Sequence, residues 1–431
     1  MAVRARTLKE ALNLFDPKVP LAGRALAQYY VERPDAPTHE LKAYLEAMEE
    51  PVKVLFSGHR GSGKSTELNR LADLLKGRFF IVSFSVLEIL NLADLTYVDL
   101  ILAIALRLLQ QATDERLLKG RKRGLVGPGL LEELYRWLTH EIVEEETVRP
   151  AREASAEAAL NLLALRLEGR VKTESSTRRM VRERAELRLF ELVSRTNRLI
   201  EEIRANARRR VLVIVEDLDK LAFERALGLF LNHAALLTEL QAHILFTFPI
   251  TLRYAREFLQ IRSHFSERFL VPTVMIHDRE GRLRPEGYQF MKAIVERRVE
   301  PYLIDAEAVD LAVRMSGGLP LTLVQLVQSA ILHAMAAGQD RVGLAQMRSA
   351  VVQLRNDYRG TLRPEDYGEL RNVHRTRTFV NSERAREFLA NLSLLEYNDG
   401  EPWCDVHPIL LPLLEATGDS PSGALPSSNV A

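Results

Sequence analysis

A single cysteine, Cys404, stands in the 431 residues, which excludes an intrachain disulfide, and no Cys/His spacing suited to a metal ion accompanies it. Charge of one sign is lacking too. The 59 basic and 58 acidic residues leave a formal net charge of +1, so no global field marks a nucleic-acid or membrane partner. No run of about 18 apolar residues occurs, and the opening MAVRARTLKEALNLFD has no signal-peptide core, so a cytoplasmic chain without a membrane partner is expected. There is no internal repeat and no [NT]-K-x-D loop of the kind that reads guanine. What remains is ordinary for a globular chain, 47 % hydrophobic and 27 % charged. At roughly 100–200 residues per domain, two or three domains are expected.

Residues 52–57 (VKVLFS) are an apolar run that ends in glycines, and Leu68, Leu71, Leu74 and Leu75 follow at helical spacing. This predicts a buried parallel strand, a loop and a helix. Between them GHRGSGKS, from Gly58 to Ser65, matches G-x-x-x-x-G-K-[ST] in full. Each part has a physical reason. Gly58, Gly61 and Gly63 let the backbone curl close to phosphate oxygens. Exposed amides and a helix N-terminus attract anionic charge. Lys64 would reach the β- and γ-phosphates, and Ser65 would offer a hydroxyl to Mg²⁺. The cofactor-binding set is therefore Gly58, His59, Arg60, Gly61, Ser62, Gly63, Lys64, Ser65 and Thr66, for a nucleoside triphosphate with magnesium.

A second motif must hold the metal. VLVIVEDLDK puts Glu216, Asp217 and Asp219 at the carboxyl end of a buried strand, where open α/β sheets bind ligands. The usual order is Asp, for magnesium, then an acid that polarises water. Here Glu precedes Asp. Asp217 is taken as the essential acid and Glu216 as its partner, in either order, both on the metal side. Asp219 is read as a cap of the next segment or a contact to a neighbour. The acid-bearing strand is expected beside the loop-bearing one.

Further apolar runs predict strands at 78–85, 211–215, 243–248 and 269–276, and helices at 97–110 and 223–240. Their alternation points to a parallel sheet covered on both faces. Residues 112–210 are dense in Arg and Glu and read as a helical insertion, either a solvated hairpin or a partner-binding arm. From 285 the pattern is helical (288–299, 306–315, 321–337, 344–355), and 382–395 leads to a hairpin signal at Asn398, Asp399 and Gly400. The expected organisation is a lead-in over 1–50, an α/β core over 51–284, a helical lid over 285–356, a winged-helix-like module over 357–416, and a Ser/Gly/Pro-rich disordered tail over 417–431.

The P-loop, VLVIVEDLDK, ILFTFP and GGLPL occur in the order seen in the STAND branch of P-loop ATPases (NB-ARC/NACHT-like). The chain also resembles the origin-recognition branch of AAA+ ATPases, over roughly residues 50–330. Leu321 stands where origin-recognition members often carry an arginine, which favours the STAND branch. The resemblance implies a RecA/ASCE-like core, an α-helical lid, a winged helix, and ATP as the nucleotide. It implies that Pro320 lies near the adenine or phosphates, that Thr247 senses the γ-phosphate or orients water, and that Tyr29, Tyr30 and Val31 dock the adenine. Arg253, Arg256, Arg262 and Arg268 are the arginine-finger candidates. The function implied is a slowly hydrolysing ATP switch that acts through a protein partner or self-assembly. The alternatives are a DNA-binding origin-recognition-like ATPase, suggested by KGRKR at 119–123 and RRR at 208–210, and a small-molecule phosphoryl-transfer enzyme.

Overall fold

The computed structural model describes residues 4–118, 133, 137 and 175–416. Much of the 112–210 segment, KGRKR included, and the tail 417–431 lie outside the described residues. Two compact units result, one of Ala36–Gly58 with Lys64–Val271, the other of the chain up to Asp35, His59–Gly63 and the chain from Pro272 on.

The first unit is built on five parallel strands: β1 (Lys53–Ser57), β2 (Phe79–Ser85), β3 (Arg210–Glu216), β4 (His243–Phe248) and β5 (Glu267–Leu270). Successive residues of β1 face opposite ways. Val54 and Phe56 join Leu68, Leu71 and Leu75 of the helix Lys64–Leu75, while Leu55 joins the cluster that holds Leu102, Leu199 and Ile203 of the helices Tyr97–Asp114 and Leu189–Ala207. Both faces of the strands are thus covered, which is why the strands read as near-continuous apolar runs.

The strand order is β2-β3-β4-β1-β5. β4 stands between β1 and β3, so the acid-bearing strand is not the direct neighbour of the loop-bearing one, contrary to the expectation. β5 ends at Leu270 rather than near 276: Val271 still donates to Ser57 O at 2.9 Å, but Pro272 has no N–H to extend the ladder. The helix expected over 223–240 is broken by a π-helical turn, Gly228–Asn232. The helix Tyr97–Asp114 runs a turn further than expected and begins with a capping box between Thr96 and Asp99.

In the second unit, the helices Pro285–Glu296, Ala306–Met315, Pro320–Ala336 and Leu344–Arg359 share a core with Leu8, Ala11 and Phe15 from the start of the chain. Asp366–Thr376 and Glu383–Ala390 follow, then an antiparallel hairpin of β6 (Leu394–Asn398) and β7 (Pro402–Val406). Its turn holds Gly400 at φ 112°, and Tyr397 stacks on Trp403 with ring centroids 4.6 Å apart. Among the described residues, no helix is long and apolar enough to cross a membrane.

Candidate functional site

At the carboxyl end of the sheet, the register sets one row of residues. Phe56 pairs with Thr247, Val215 with Phe246 and Ser85 with Glu216, so Glu216, Thr247 and Ser85 are level. Lys64 opens the helix after β1 and folds back onto its own loop. Its Nζ donates to Gly58 O at 3.0 Å and pairs with Asp219 Oδ2 at 2.9 Å, the two side chains being only 7 % and 8 % exposed. Asp219, expected to cap or to meet a neighbour, is thus the buried counter-charge of the loop lysine.

Ser65, one residue on, hydrogen-bonds Glu216. Burial pushes the Glu216 carboxyl up to about 7, against the Ser65 hydrogen bond and with help from the Asp217, Asp219 and Glu88 charges. Asp217 faces elsewhere. Its backbone is left-handed at φ 69°, a region that Asp tolerates better than most residues, and its carboxylate accepts from Ser85 Oγ and pairs with Lys220 Nζ at 2.7 Å. The buried Thr247 hydroxyl accepts from Leu218 N–H at 3.0 Å and lies 3.4 Å from Val215 O, which ties β4 to the turn after the acidic strand.

The Glu216 shift has a consequence for stability. From 4.5, the ordinary value, to about 7, the folded protein holds a proton that the unfolded chain has shed. Glu216 therefore favours the folded state below that window, and the contribution is lost as pH rises through 7. Urea midpoints of the nucleotide-free protein, taken from pH 5 to pH 8, should fall more in wild type than in Glu216→Gln. Parallel curves would contradict the buried, protonated carboxyl.

The middle of the loop belongs to the second unit. Arg33, 4 % exposed, donates through Nη1 to Ser62 O at 2.6 Å, through Nη2 to Pro272 O, and through Nε to Asp35 at 2.5 Å. Leu321 N–H donates to Gly61 O at 3.2 Å, and Ser62 N–H to His59 O at 3.1 Å. In a trans peptide the C=O and the following N–H point opposite ways, so holding Ser62 O on Arg33 turns the Gly63 amide to the other side of the loop. Gly61 and Gly63 have φ of 81° and 97°, and a Cβ on Gly61 would lie 2.6 Å from Leu321 Cβ. Arg60 is exposed and Thr66 half-buried. Pro320 is the first residue of its helix, after Gly317 and Gly318 at φ 61° and 80°.

No family model matches the sequence, and no curated protein matches it either. Among solved structures, the chain is similar to the Aeropyrum pernix ORC1 protein in complex with DNA (14 % identity, 96 % of each chain covered, TM-score 0.43). It is similar to the Aeropyrum pernix ORC2 protein in ADPNP–ADP complexes (12 % identity, 94 % of this chain and 97 % of that one, TM-score 0.41). It is also similar to the RuvB Holliday junction branch migration motor of Thermotoga maritima (13 % identity, 92 % of each chain, TM-score 0.38). The likeness is one of fold alone.

The remaining sequence candidates are scattered. Arg256, Arg262 and Arg268 are exposed, and the Arg268 guanidinium lies 5.5 Å from the Phe258 ring centre. Tyr29 is buried with the Arg298 guanidinium 5.8 Å from its ring centre, Tyr30 O accepts from Arg297, and Val31 packs on the helical core. Three residues near the loop escaped sequence reasoning in these roles: Arg33, Ser85 and Asp219. For Asp219 a signal existed, a third acid two residues beyond Asp217; for Arg33, inside a proline-rich lead-in, none did.

Proposed function

We propose that the chain is an ATP-binding, magnesium-dependent ATPase of the AAA+ type. The observation that carries this reading is the cluster of Lys64, Ser65, Glu216 and Asp219 at the carboxyl end of a parallel sheet, the first two being the last residues of a full P-loop sequence. The residues suit the ligand. The Ser57 and Ser62 hydroxyls are buried with no hydrogen-bond partner among the described residues, as expected of groups that await one. Among the described residues there is no group of three or more His, Cys, Asp or Glu to hold a metal. Magnesium needs none, since it binds through one or two protein oxygens, phosphates and water.

In this reading Ser65 and Glu216 would hold the magnesium ion, which when bound would neutralise the charge that develops on the phosphates. Lys64 would leave Asp219 for the phosphates, and the loop amides would cradle them. Asp217, oriented by Ser85 and Lys220, would stand on the water side, with Thr247 holding the turn in place. Pro320 and Tyr29 to Val31 keep their assignment to the nucleotide as part of this proposal.

The test is equilibrium binding of ATP and ADP with Mg²⁺, together with turnover. Wild type should bind and hydrolyse. Glu216→Gln should lose magnesium-dependent binding, whereas Asp217→Asn should still bind while turnover drops at least about a hundredfold. Failure of wild type to bind either nucleotide at millimolar concentration would defeat the proposal.

What the nucleotide state controls has two readings. The first is a switch that acts on a protein partner or a second copy, with Arg253, Arg256, Arg262 or Arg268 reaching a neighbour's nucleotide; a mass that rises with ATP supports it. The second is engagement of DNA; the Aeropyrum pernix ORC1 structure is a complex with DNA. A specific feature favours the second: Arg359, Arg363, Arg371 and Arg375 are all exposed. Within the RRR segment, Arg209 pairs with Glu115 at 2.9 Å and Arg210 donates to Met48 O at 2.6 Å, which leaves the exposed Arg208 as its one candidate for such a contact. The hairpin tip carries exposed Asp399 and Glu401, so contact would come through the helices. Retardation of duplex DNA with ATP present should weaken steeply with salt. No retardation at low salt excludes this reading.

A further inference from the structure

We propose that His59, the second residue of the P-loop, is a positioning residue that fastens the loop to the C-terminal hairpin, so that phosphate binding and the seating of the hairpin are coupled. This rests on the nucleotide reading above. The motif leaves the second position open to any side chain, and the sequence alone places His59 only in the cofactor-binding set. Yet its ring is 1 % exposed, and its Nε2 accepts from the Glu396 amide at 2.7 Å, across 337 residues of chain. Acceptance at Nε2 fixes a neutral ring with the proton on Nδ1.

The hairpin explains why an acceptor is needed there. In a two-stranded ladder, alternate residues turn their N–H groups outward, with no strand beyond to receive them. Glu396 and Cys404 face each other as such a pair. The Cys404 amide goes to Arg377 O at 3.3 Å, and the Glu396 amide goes to His59. A buried amide must find a partner; here that partner is a side chain of the phosphate loop.

The residues on either side of Glu396 hold the other end of the same circuit. Tyr397 Oη donates to Gly317 O at 2.8 Å, and a Cβ on Gly317 would come within 2.5 Å of Leu395 Cδ1. Four residues on, Leu321 N–H holds Gly61 O. Three consecutive residues of β6 therefore grip the loop at His59 and the GGLPL turn at Gly317, and that turn grips the loop again at Gly61. A shift of the loop on phosphate binding must pass to β6, and by linkage a displaced β6 must alter phosphate affinity by the same factor.

The experiment uses the full chain, methylanthraniloyl-ADP with Mg²⁺ as the probe, and hydrogen exchange at the Glu396 amide. His59→Leu removes the acceptor; His59→Gln returns one at similar reach through Oε1. His59→Leu should speed ADP release about tenfold, within the usual span of site–site coupling, and speed exchange at Glu396. His59→Gln should restore both, a rescue that a merely space-filling role would not give. In wild type, ADP should change exchange at Glu396 at least about threefold. If His59→Leu does not fold, Tyr397→Phe, which deletes one hydroxyl, should speed ADP release in the same direction. The inference is overturned if wild type binds ADP and either exchange at Glu396 ignores it or His59→Leu releases ADP at the wild-type rate. Failure of wild type to bind ADP instead overturns the nucleotide reading and the coupling with it.

Discussion

Lys64→Ala is expected to abolish nucleotide binding and also to lower the melting temperature of the protein with no nucleotide present. The second effect comes from Asp219. Its carboxylate is 8 % exposed, and Lys64 Nζ at 2.9 Å is its cationic partner in the structure. Removing one member of a buried ion pair leaves a charge out of water and costs about 3–5 kcal/mol, whereas replacing both by apolar groups of similar volume is close to neutral. At about 2–4 °C per kcal/mol for a unit of this size, the single substitution should lower the melting temperature by roughly 6–20 °C. Lys64→Met combined with Asp219→Leu should recover most of that stability while binding stays absent. A double-mutant cycle by calorimetry checks the point: strictly additive effects would mean that the two charges do not meet in the nucleotide-free protein. The cycle also separates a catalytic role of Lys64 from a structural one, which turnover measurements on Lys64→Ala alone cannot do.

The same pair shows what could be read from sequence and what could not. β1, β3 and β4 were legible because a strand buried on both faces admits little but apolar residues, and because glycines or acids mark its end. The loop was legible because its spacing is fixed by the ligand rather than by the fold. Strand order was not: whether β4 lies beside β1 or beyond it depends on helices packing over both faces, and no local pattern records that. Side-chain pairing across the chain was equally hidden. Asp219 is 155 positions from Lys64 in the sequence, and its burial follows from the turn that Thr247 holds, not from its neighbours VLVIVED. Arg33 looked like one more charge in a lead-in, and only the path of the chain brings it to Ser62 O. The helix Tyr97–Asp114 was legible at its start, where the Thr96–Asp99 capping box lies, but not at its last turn, past residue 110, where the apolar run gives out.

Gly318→Ala is expected to be the most damaging single-methyl change in the GGLPL turn. Two effects add. At φ 80° any Cβ is disfavoured by about 1–2 kcal/mol. That Cβ would also sit 1.8 Å from Val274 O and 2.9 Å from Val274 C, backbone atoms with little room to yield, because Val274 N–H is itself bonded to Gly318 O at 3.2 Å. Gly338 isolates the first effect: its φ is 66° and nothing lies within 4 Å of an added Cβ. Gly338→Ala should therefore cost about 1 kcal/mol, and Gly318→Ala more than about 4 kcal/mol, in the range reserved for severe steric or core defects. The corresponding losses in melting temperature are about 2–4 °C and 10 °C or more. A Gly318→Ala melt within about 2 °C of that of Gly338→Ala would show that the turn does not press on Val274. Two residues after Gly318 the helix Pro320–Ala336 begins, and its Leu321 amide holds Gly61 O. A turn forced outward carries that amide with it, so ADP affinity should fall even at temperatures where Gly318→Ala remains folded, whereas Gly338→Ala, at the far end of the same helix, should bind as wild type does.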